Sequence, residues 1–356
     1  MRYSIIGGLL ALLSVCIQPA LSAEDCKPLQ MLGSVDLDYQ DGHVYANLLA
    51  NGKPAKFLVS TAGGVTSLTP EGAAALGLKE IHDARVVLIN DRSQSSESYV
   101  VIDDLSVGGA HIGHGQFMVL PPSESSNTDV VGYMGADILS HFDVEFDFAA
   151  GKMNLFSQDH CLGQVIYWKH VAVSMVPLSE FQPTSSESRT GYAGYLKRFE
   201  QMWVPVTLDD KSVPAQISTS PYSRIQSDIA QGAFGIDANS PGSERPANVM
   251  ADPDTFEHTF SNLVFDGVTV TNPHFVIYPY NPAQYARRIR RTDTRLANLR
   301  DRSPAHIVIG MNILSKLHLF ASFGERRLYI TEASGPPKSA TTKTSAPPPA
   351  PATRAP

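Results

Sequence analysis

Apolar residues alternate with polar ones in short runs along most of the chain. An apolar residue at every second position, with Gly, Asn or Asp at the turns, is typical of strands that bury one face. Helical spacing is confined to residues 70–78 and 138–141 and to their counterparts in the second half. The clearest strand runs are SYVVIDDLSVGG (98–109), HFDVEFDF (141–148) and LVFDGVTVTNPHFVIYP (263–279). The pattern predicts an all-β fold with few short helices.

The second half of the chain repeats the first. The two copies align with a shift of 158 residues in their first part and of 175 in their last part. The pairs that define the repeat are Ser60/Ser218, Thr61/Thr219, Gly77/Gly235, Gly135/Gly310 and Phe148/Phe323. The 17 extra residues (175 − 158) belong to the second copy, between about Tyr280 and His306. A unit that occurs twice predicts two lobes with a pseudo-twofold relation, over residues 24–165 and 166–332.

Residues 1–23 have the three parts of a signal peptide. Arg2 supplies a positive charge, residues 5–15 form an apolar stretch of eleven residues, and ALSA (20–23) provides small residues before a cleavage site. Eleven apolar residues are too few to span a bilayer. We therefore expect an exported protein, periplasmic or secreted. Lipid attachment at Cys16 is not expected, because the residue before it fits a lipobox poorly.

Two cysteines remain after that segment, Cys26 and Cys161. In an exported chain, two thiols most simply form one disulfide. It would join the N-terminus of the mature chain to the end of the first repeat. Two free buried thiols are the alternative.

Two segments have no counterpart in the repeat. Residues 285–302 contain seven arginines and two aspartates, and their apolar residues recur at helical spacing, which predicts a basic amphipathic helix. This helix is either a solvated surface element or a patch for an anionic envelope partner. The arginines of the candidate patch are Arg287, Arg288, Arg290, Arg291 and Arg295. Residues 333–356 are rich in Pro, Ala and Thr and are predicted to form a disordered tail. The net charge of −7 argues against binding to nucleic acid.

Three motifs carry a resemblance to a known family. NGKPAKFLVSTAG (51–63), YMGADIL (133–139) and VIGMNIL (308–314) resemble the landmarks of a retropepsin-like aspartic protease lobe. The resemblance covers roughly residues 33–331. It implies two lobes arranged as in pepsin, with a cleft between them and one catalytic loop from each lobe. It also implies that Gly135 and Gly310 mark the late glycine motifs and that the ligand is an extended peptide.

The sequence departs from the family at the catalytic positions. Where the family has Asp-Thr-Gly, this chain has Ser60-Thr61-Ala62 and Ser218-Thr219-Ser220. The family mechanism needs two carboxylates that share one proton. A serine hydroxyl cannot replace a carboxylate as general base near neutral pH. The resemblance implies that Thr61 and Thr219 still join the two loops by hydrogen bonds, with Ala62 and Ser220 as further loop residues.

Other chemistry has weaker support. A nucleophilic serine would need a base, for which His82 and His274 are the candidates brought near by folding. His111 and His114 in HIGHG are interpreted as a surface pair, and no metal or cofactor is expected. Asp143 and Asp147 are interpreted as the polar face of a strand and its turn, not as a catalytic pair.

Three functions follow from these observations. The first is a pseudoprotease that holds an extended peptide without cleaving it. The second is an active endopeptidase that uses displaced acids, such as Asp252 or Asp254. The third is a structural or envelope-docking role of the basic insert and the tail.

Overall fold

The computed structural model describes residues 26–83, 88–89, 95–121, 129–167, 174–177, 201–245, 254–279 and 307–333. The predicted signal peptide, Asp252, the basic insert and all of the predicted tail after residue 333 lie outside these ranges. Within them, no helix combines the length and the apolar character needed to cross a membrane.

Strands dominate both halves of the chain. The strands of the first half are β1 Met31–Gln40, β2 His43–Ala50, β3 Lys53–Val59, β4 Ser67–Leu68, β5 Ile81–His82, β6 Leu88–Ile89, β7 Ser95–Ser96, β8 Ser98–Ile102, β9 Leu105–Val107, β10 Ala110–His111, β11 Gly115–Val119, β12 Gly132–Met134, β13 Asp143–Asp147 and β14 Lys152–Phe156. Those of the second half are β15 Ser174–Pro177, β16 Trp203–Leu208, β17 Lys211–Ile217, β18 Arg224–Gln226, β19 Ser243–Glu244, β20 Phe256–Thr259, β21 Asn262–Phe265, β22 Val268–Thr271, β23 His274–Tyr278, β24 Ile307–Ile309, β25 Leu317–Ser322 and β26 Arg327–Glu332. Four short helices complete the described elements: α1 Pro70–Leu76, α2 Ala136–Leu139, α3 Ser227–Phe234 and α4 Met311–Leu314. The predicted all-β fold is confirmed.

The two lobes have the same strand order. In the first lobe, neighbouring strands run β2-β3-β12-β4-β11-β8-β5, and in the second they run β16-β17-β24-β18-β23-β20-β19. The directions also agree, because β3 and β12 are parallel like β17 and β24, and β4 and β11 are parallel like β18 and β23. The sequence repeat is therefore a repeat of one topology.

A third layer joins the lobes. Its strand order is β15-β26-β25-β13-β14-β1, and we call it the platform. The central pair is β13 and β25, which are antiparallel, with Glu145 opposite Phe320 and Val144 opposite Ala321. These two strands are equivalent in the repeat, so the pseudo-twofold axis passes between them. One hydrophobic core, which includes Val144 and Leu319, fills both lobes beneath the platform.

Hairpin turns follow from the sequence. Asp41-Gly42 joins β1 to β2 with φ values of 52° and 76°, and Asn51-Gly52 joins β2 to β3 with φ values of 50° and 75°. Asn-Gly and Asp-Gly are the pairs that best tolerate two successive left-handed residues, and such turns match the twist of the flanking strands. The turns therefore help to set the pairing of the first three strands.

The helix bounds differ from the predicted ones: the first helix is shorter and the second begins two residues earlier. The first begins at Pro70 after Thr69, whose hydroxyl accepts a hydrogen bond from the Gly72 N–H at 2.9 Å. It ends at Leu76 rather than at residue 78, because Gly77 adopts a left-handed conformation with φ 72°. The segment predicted at 138–141 is helical at Ala136–Leu139 instead, directly after a glycine.

The outer face of the platform buries charged side chains. Asp143 has no exposed surface, so the interpretation of this residue as part of a polar strand face was wrong. Its carboxylate accepts hydrogen bonds from His160 Nε2 at 2.6 Å and from the Ser322 hydroxyl at 2.5 Å. Asp147 is half-buried and accepts a hydrogen bond from the Ala150 N–H. Burial favours paired charges over free ones, which explains why Asp143 has these partners.

A second buried pair crosses between the lobes beside the first. Glu145 of β13 accepts a hydrogen bond from His318 Nε2 of β25 at 2.8 Å. It also accepts hydrogen bonds from the Asn154 amide and the Tyr167 hydroxyl. Burial opposes the charge of this carboxyl, but the three hydrogen bonds hold the pKa of Glu145 below its usual value. The Glu145–His318 pair therefore joins the two lobes, whereas the Asp143–His160 pair lies within the first lobe and reaches the second through Ser322.

The predicted disulfide between Cys26 and Cys161 is present. It closes a loop with a sequence separation of 135 residues and fixes the segment that begins at His160. This segment covers the outer face of the platform, where Val165 and Ile166 pack on Phe156. The disulfide thus anchors the cover of the two buried ion pairs.

The His160 pair predicts a pH dependence of stability. Burial of the ring opposes its charge, but the hydrogen bond to Asp143 and the nearby Glu325 raise the pKa of His160 above its usual value. A raised pKa in the folded state stabilises the fold below the unfolded-state pKa of about 6.5, and this stability is lost as pH rises through the folded-state pKa. We expect the urea midpoint of the wild type to fall between about pH 6 and pH 8.5, and H160Q to show a smaller fall.

The matched control for that measurement is H111N, at an exposed histidine. This variant should keep the wild-type pH dependence. At pH 6, H160Q should lose about 3 kcal/mol of stability, since removal of one partner leaves a buried carboxylate without its counter-charge. If the urea midpoints of H160Q and the wild type changed equally with pH, the pH dependence would not arise from the His160–Asp143 pair.

Candidate functional site

Ser60 and Ser218 begin equivalent loops at the ends of equivalent strands. Ser60 follows β3, and its N–H donates to the Met134 carbonyl at 2.9 Å. Ser218 follows β17, and its N–H donates to the Ile309 carbonyl at the same distance. Each serine is therefore held at its backbone by the strand that precedes the late glycine of its own lobe.

The threonines after these serines join the loops across the lobes. The Thr219 N–H donates to Thr61 Oγ1 at 3.1 Å, and the Thr61 N–H donates to Thr219 Oγ1 at 3.3 Å. Each hydroxyl in turn donates to the opposite strand, Thr61 to the Ile217 carbonyl at 3.1 Å and Thr219 to the Val59 carbonyl at 2.5 Å. Both threonines are 2% exposed. We call these four hydrogen bonds the threonine bridge.

The two loops differ in length by one residue. Gly63 accepts a hydrogen bond from the Ala136 N–H, and Ser220 accepts the equivalent one from the Met311 N–H. Gly63 is therefore the structural counterpart of Ser220, and Ala62 is the extra residue of the first loop. The sequence shift had paired Ala62 with Ser220. After the extra residue the two copies align with a shift of 157, as for Thr66 and Ser223. The shift returns to 158 at Gly77 and Gly235, because α3 is one residue longer than α1.

Gln201 supports the first loop from the second lobe. Its side-chain amide donates to the Ala62 carbonyl at 2.5 Å. The sequence repeat gave no signal for this contact, because only the first loop has the extra residue.

The late glycines lie against the loops. A Cβ atom at Gly135 would come within 2.8 Å of the Val65 carbonyl carbon, and one at Gly310 within 2.4 Å of that of Tyr222. No other residue fits such close backbone contacts. These glycines therefore allow the strand after the loop and the short helix to pack directly on the loop.

A polar network repeats behind each loop. In the first lobe, the Thr66 hydroxyl donates to the Asp137 carboxylate at 2.6 Å and accepts from the Gly135 N–H at 2.9 Å. In the second lobe, the Ser223 hydroxyl donates to Asn312 Oδ1 at 2.7 Å and accepts from the Gly310 N–H at 2.8 Å. Sequence analysis missed these four side chains, although GADIL and GMNIL place Asp137 and Asn312 at equivalent positions.

Asp137 has a structural place rather than a free carboxylate. Burial raises the pKa of Asp137, while hydrogen bonds from Thr66 and from the Ile138 N–H oppose the rise. The backbone N–H of Thr66 is 2.8 Å from both carboxylate oxygens. The equivalent residue in the second lobe, Asn312, is uncharged, so the two lobes do not supply a pair of acids at this position.

The other candidate residues have partners of their own. His82 lies 3.5 Å from Glu97, and His274 contacts Glu257 and Thr259. In the described part of the chain, neither imidazole is hydrogen-bonded to Ser60 or Ser218. The surface pair His111 and His114 contacts Asp104 and Asp103, respectively, and Asp254 is exposed. Among the described residues, no group of three or more His, Cys, Asp or Glu side chains is arranged to hold a metal ion.

Part of the first lobe matches the model of a known protein family. Residues 46–138 match the family model described as aspartyl protease. This span contains Ser60, the threonine of the first loop and Gly135. The resemblance to aspartic proteases predicted from the sequence is confirmed.

Several solved structures are also similar to this chain, at low sequence identity. The aspartic proteinase from Irpex lacteus is 11% identical, with a TM-score of 0.48, and the match covers 88% of this chain and 99% of that one. The structure called edgp is 12% identical with a TM-score of 0.48, covering 84% of this chain and 94% of that one. A retropepsin-like aspartic protease from Rickettsia conorii is 20% identical with a TM-score of 0.27, covering 36% and 93%. No curated protein matches the sequence.

In this aspartic-protease-like framework, two equivalent loops carry Ser60 and Ser218 where the resemblance implies carboxylates. The threonine bridge holds the two loops together, and the glycines fix the strands behind them. The residues that precede the threonines carry hydroxyls. The site can therefore donate and accept hydrogen bonds, but it lacks the shared proton of a carboxylate pair.

The threonine bridge makes a testable contribution to stability. T61V keeps the side-chain volume but leaves the buried Thr219 N–H and Ile217 carbonyl without their partner. We expect T61V to lower the free energy of unfolding by about 2 kcal/mol, measured by urea denaturation. T61V/T219V should lose less than the sum of the single losses, because the two residues share hydrogen bonds.

The control is T269V, at an exposed strand position. Its stability should stay within about 0.5 kcal/mol of the wild type. Additive losses in the double variant would mean that the two threonines do not act as one unit.

Proposed function

We propose that this protein is an exported pseudoprotease that binds an extended peptide between its lobes without cleaving it. The observation that carries the proposal is the threonine bridge beside Ser60 and Ser218. The bridge supports a cleft of the aspartic-protease type, and the two serines argue against hydrolysis there.

The two serines do not supply the general base that hydrolysis requires. Hydrolysis by an aspartic protease requires a carboxylate to remove a proton from water and a second carboxyl group to protonate the leaving group. The serine hydroxyl does not accept a proton near neutral pH. Asp137 is tied to Thr66, and Asn312 takes the equivalent place in the second lobe. These contacts support a site that binds rather than reacts.

Sheet edges supply the means of holding a peptide. Among the described strands, β5 is the last on one side of the first-lobe sheet, and β19 is the last of the second-lobe sheet. They occupy equivalent positions in the repeat. An extended peptide binds such an edge through its main chain, so the affinity is largely independent of sequence.

Export is supported by the disulfide. Cys26 and Cys161 are bonded, and such bonds persist in oxidising compartments. The proposed location is the periplasm or the outside of the cell.

Cleavage of peptides tests the proposal. The purified mature chain should show no turnover of a diverse peptide mixture from about pH 3 to pH 7.5, because it has no carboxylate pair. S60D/S218D, which restores both carboxylates on an intact threonine bridge, should gain cleavage at acid pH. The readout is mass spectrometry of the products.

S60A/S218A is the matched control, since it changes the same positions without adding an acid. It should be as inactive as the wild type. Turnover by the wild type that persists in S60A/S218A would overturn the proposal and assign the chemistry to other groups.

A further inference from the structure

Among the described residues, no acceptor takes a hydrogen bond from the hydroxyl of Ser60 or Ser218. Ser218 is 4% exposed, and its Oγ accepts the Ser220 N–H at 3.1 Å. Within the described ranges, its hydroxyl hydrogen has no acceptor. Ser60 is half-buried, and its hydroxyl makes no hydrogen bond to another described residue. A buried hydroxyl nearly always donates to an acceptor, so the acceptor for Ser218 is expected to come from a ligand.

The threonine bridge joins the two loops that carry these serines. Each serine directly precedes a bridge threonine, and each is fixed by an equivalent backbone hydrogen bond. The first hydroxyl lies beside Gly63, where a Cβ atom would approach it to 2.7 Å. A glycine at this position leaves space next to the donor. The two serines therefore occupy equivalent backbone positions about the pseudo-twofold axis.

The loops that carry the donors have no charged side chain. The loops 60–66 and 218–223 contain no Asp, Glu, Lys or Arg. The carboxylate nearest in the first-lobe network, Asp137, is occupied by Thr66 and Ile138. A pair of ionised acids would repel an anion, whereas neutral hydroxyls can donate hydrogen bonds to one.

We propose that Ser60 and Ser218 together bind a carboxylate of the peptide ligand. One carboxylate has two oxygens, so each oxygen accepts a hydrogen bond from one serine. The same chemistry is offered by a free C-terminus and by an Asp or Glu side chain. The inference rests on the proposed function, because it names the group of the bound peptide that lies at the centre of the cleft.

Three peptide pools distinguish the sources of the carboxylate. All are N-acetylated random hexapeptides. The first lacks Asp and Glu and ends in a free carboxylate, the second lacks Asp and Glu and ends in an amide, and the third ends in an amide and contains one Asp. Binding is measured by retention on the immobilised mature protein at pH 7 and mass spectrometry of the retained peptides.

We expect the wild type to bind one of the two pools that contain a carboxylate at least about tenfold more tightly than the second pool, which has none. Hydrogen bonds to a charged acceptor are strong enough for such a difference. Preference for the first pool identifies a C-terminus, and preference for the third identifies a side chain. S60A/S218A should lose the preference, and S60D/S218D should reverse it. S34A, at an exposed serine of the platform, should behave as the wild type.

Two outcomes overturn the inference in different ways. Equal retention of all three pools would overturn the carboxylate site and leave peptide binding intact. Retention of no pool would overturn the proposed function together with the carboxylate site. If S218D does not fold, S60D carries the test, because Ser60 is the more exposed of the two serines.

Discussion

Hydrogen bonds between Thr61 and Thr219 constrain the whole molecule. Each threonine hydroxyl accepts a hydrogen bond from a backbone N–H of the opposite lobe and donates one to a backbone carbonyl of that lobe. The two loops therefore have to lie directly opposite each other. This condition holds only if β3 and β17 end at the same level. The platform sets that level, because β13 and β25 pair in one register across the pseudo-twofold axis. The bridge is buried, so a shift of one lobe against the other would leave unsatisfied polar groups in the core.

The platform shows how the two copies have become complementary. The shift of 175 residues places Asp143 on His318 and Asp147 on Ser322. The acidic residues of β13 now face histidine or serine of β25, with Asp143 bonded to Ser322 and Glu145 to His318. Identical acids at both positions would place like charges in a buried site and destabilise it. The sequence differences between the two copies at these positions therefore allow β13 and β25 to pair and join the lobes.

The sequence predicted the parts of the structure that depend on local pattern and on the repeat. Alternation predicted the strands, and the Ser60/Ser218 and Gly135/Gly310 pairs predicted which loops are equivalent. It did not predict the buried state of Asp143, because period-two alternation does not reveal that the disulfide-anchored segment 157–167 covers the outer face. The extra residue at Ala62 was also missed, since a loop one residue longer and a helix one residue shorter cancel in the shift. Burial by a distant segment and compensating lengths are properties of the folded chain.

The threonines and glycines of the loops are explained by the framework alone, but the serines are not. Loss of the bridge or of the small residues at 135 and 310 would unsettle the packing between loop and strand. Alanine at 60 and 218 would fill the same space without adding a buried polar group that needs a partner. Burial of Ser218 costs free energy, because its hydroxyl hydrogen has no acceptor among the described residues. Alanine at 218 would also remove the acceptor of the Ser220 N–H, so this serine has one structural contact and one donor left over. The hydroxyl of Ser60 makes no hydrogen bond to another described residue. The donors of the two serines are therefore better explained by what the loops hold than by how they are held.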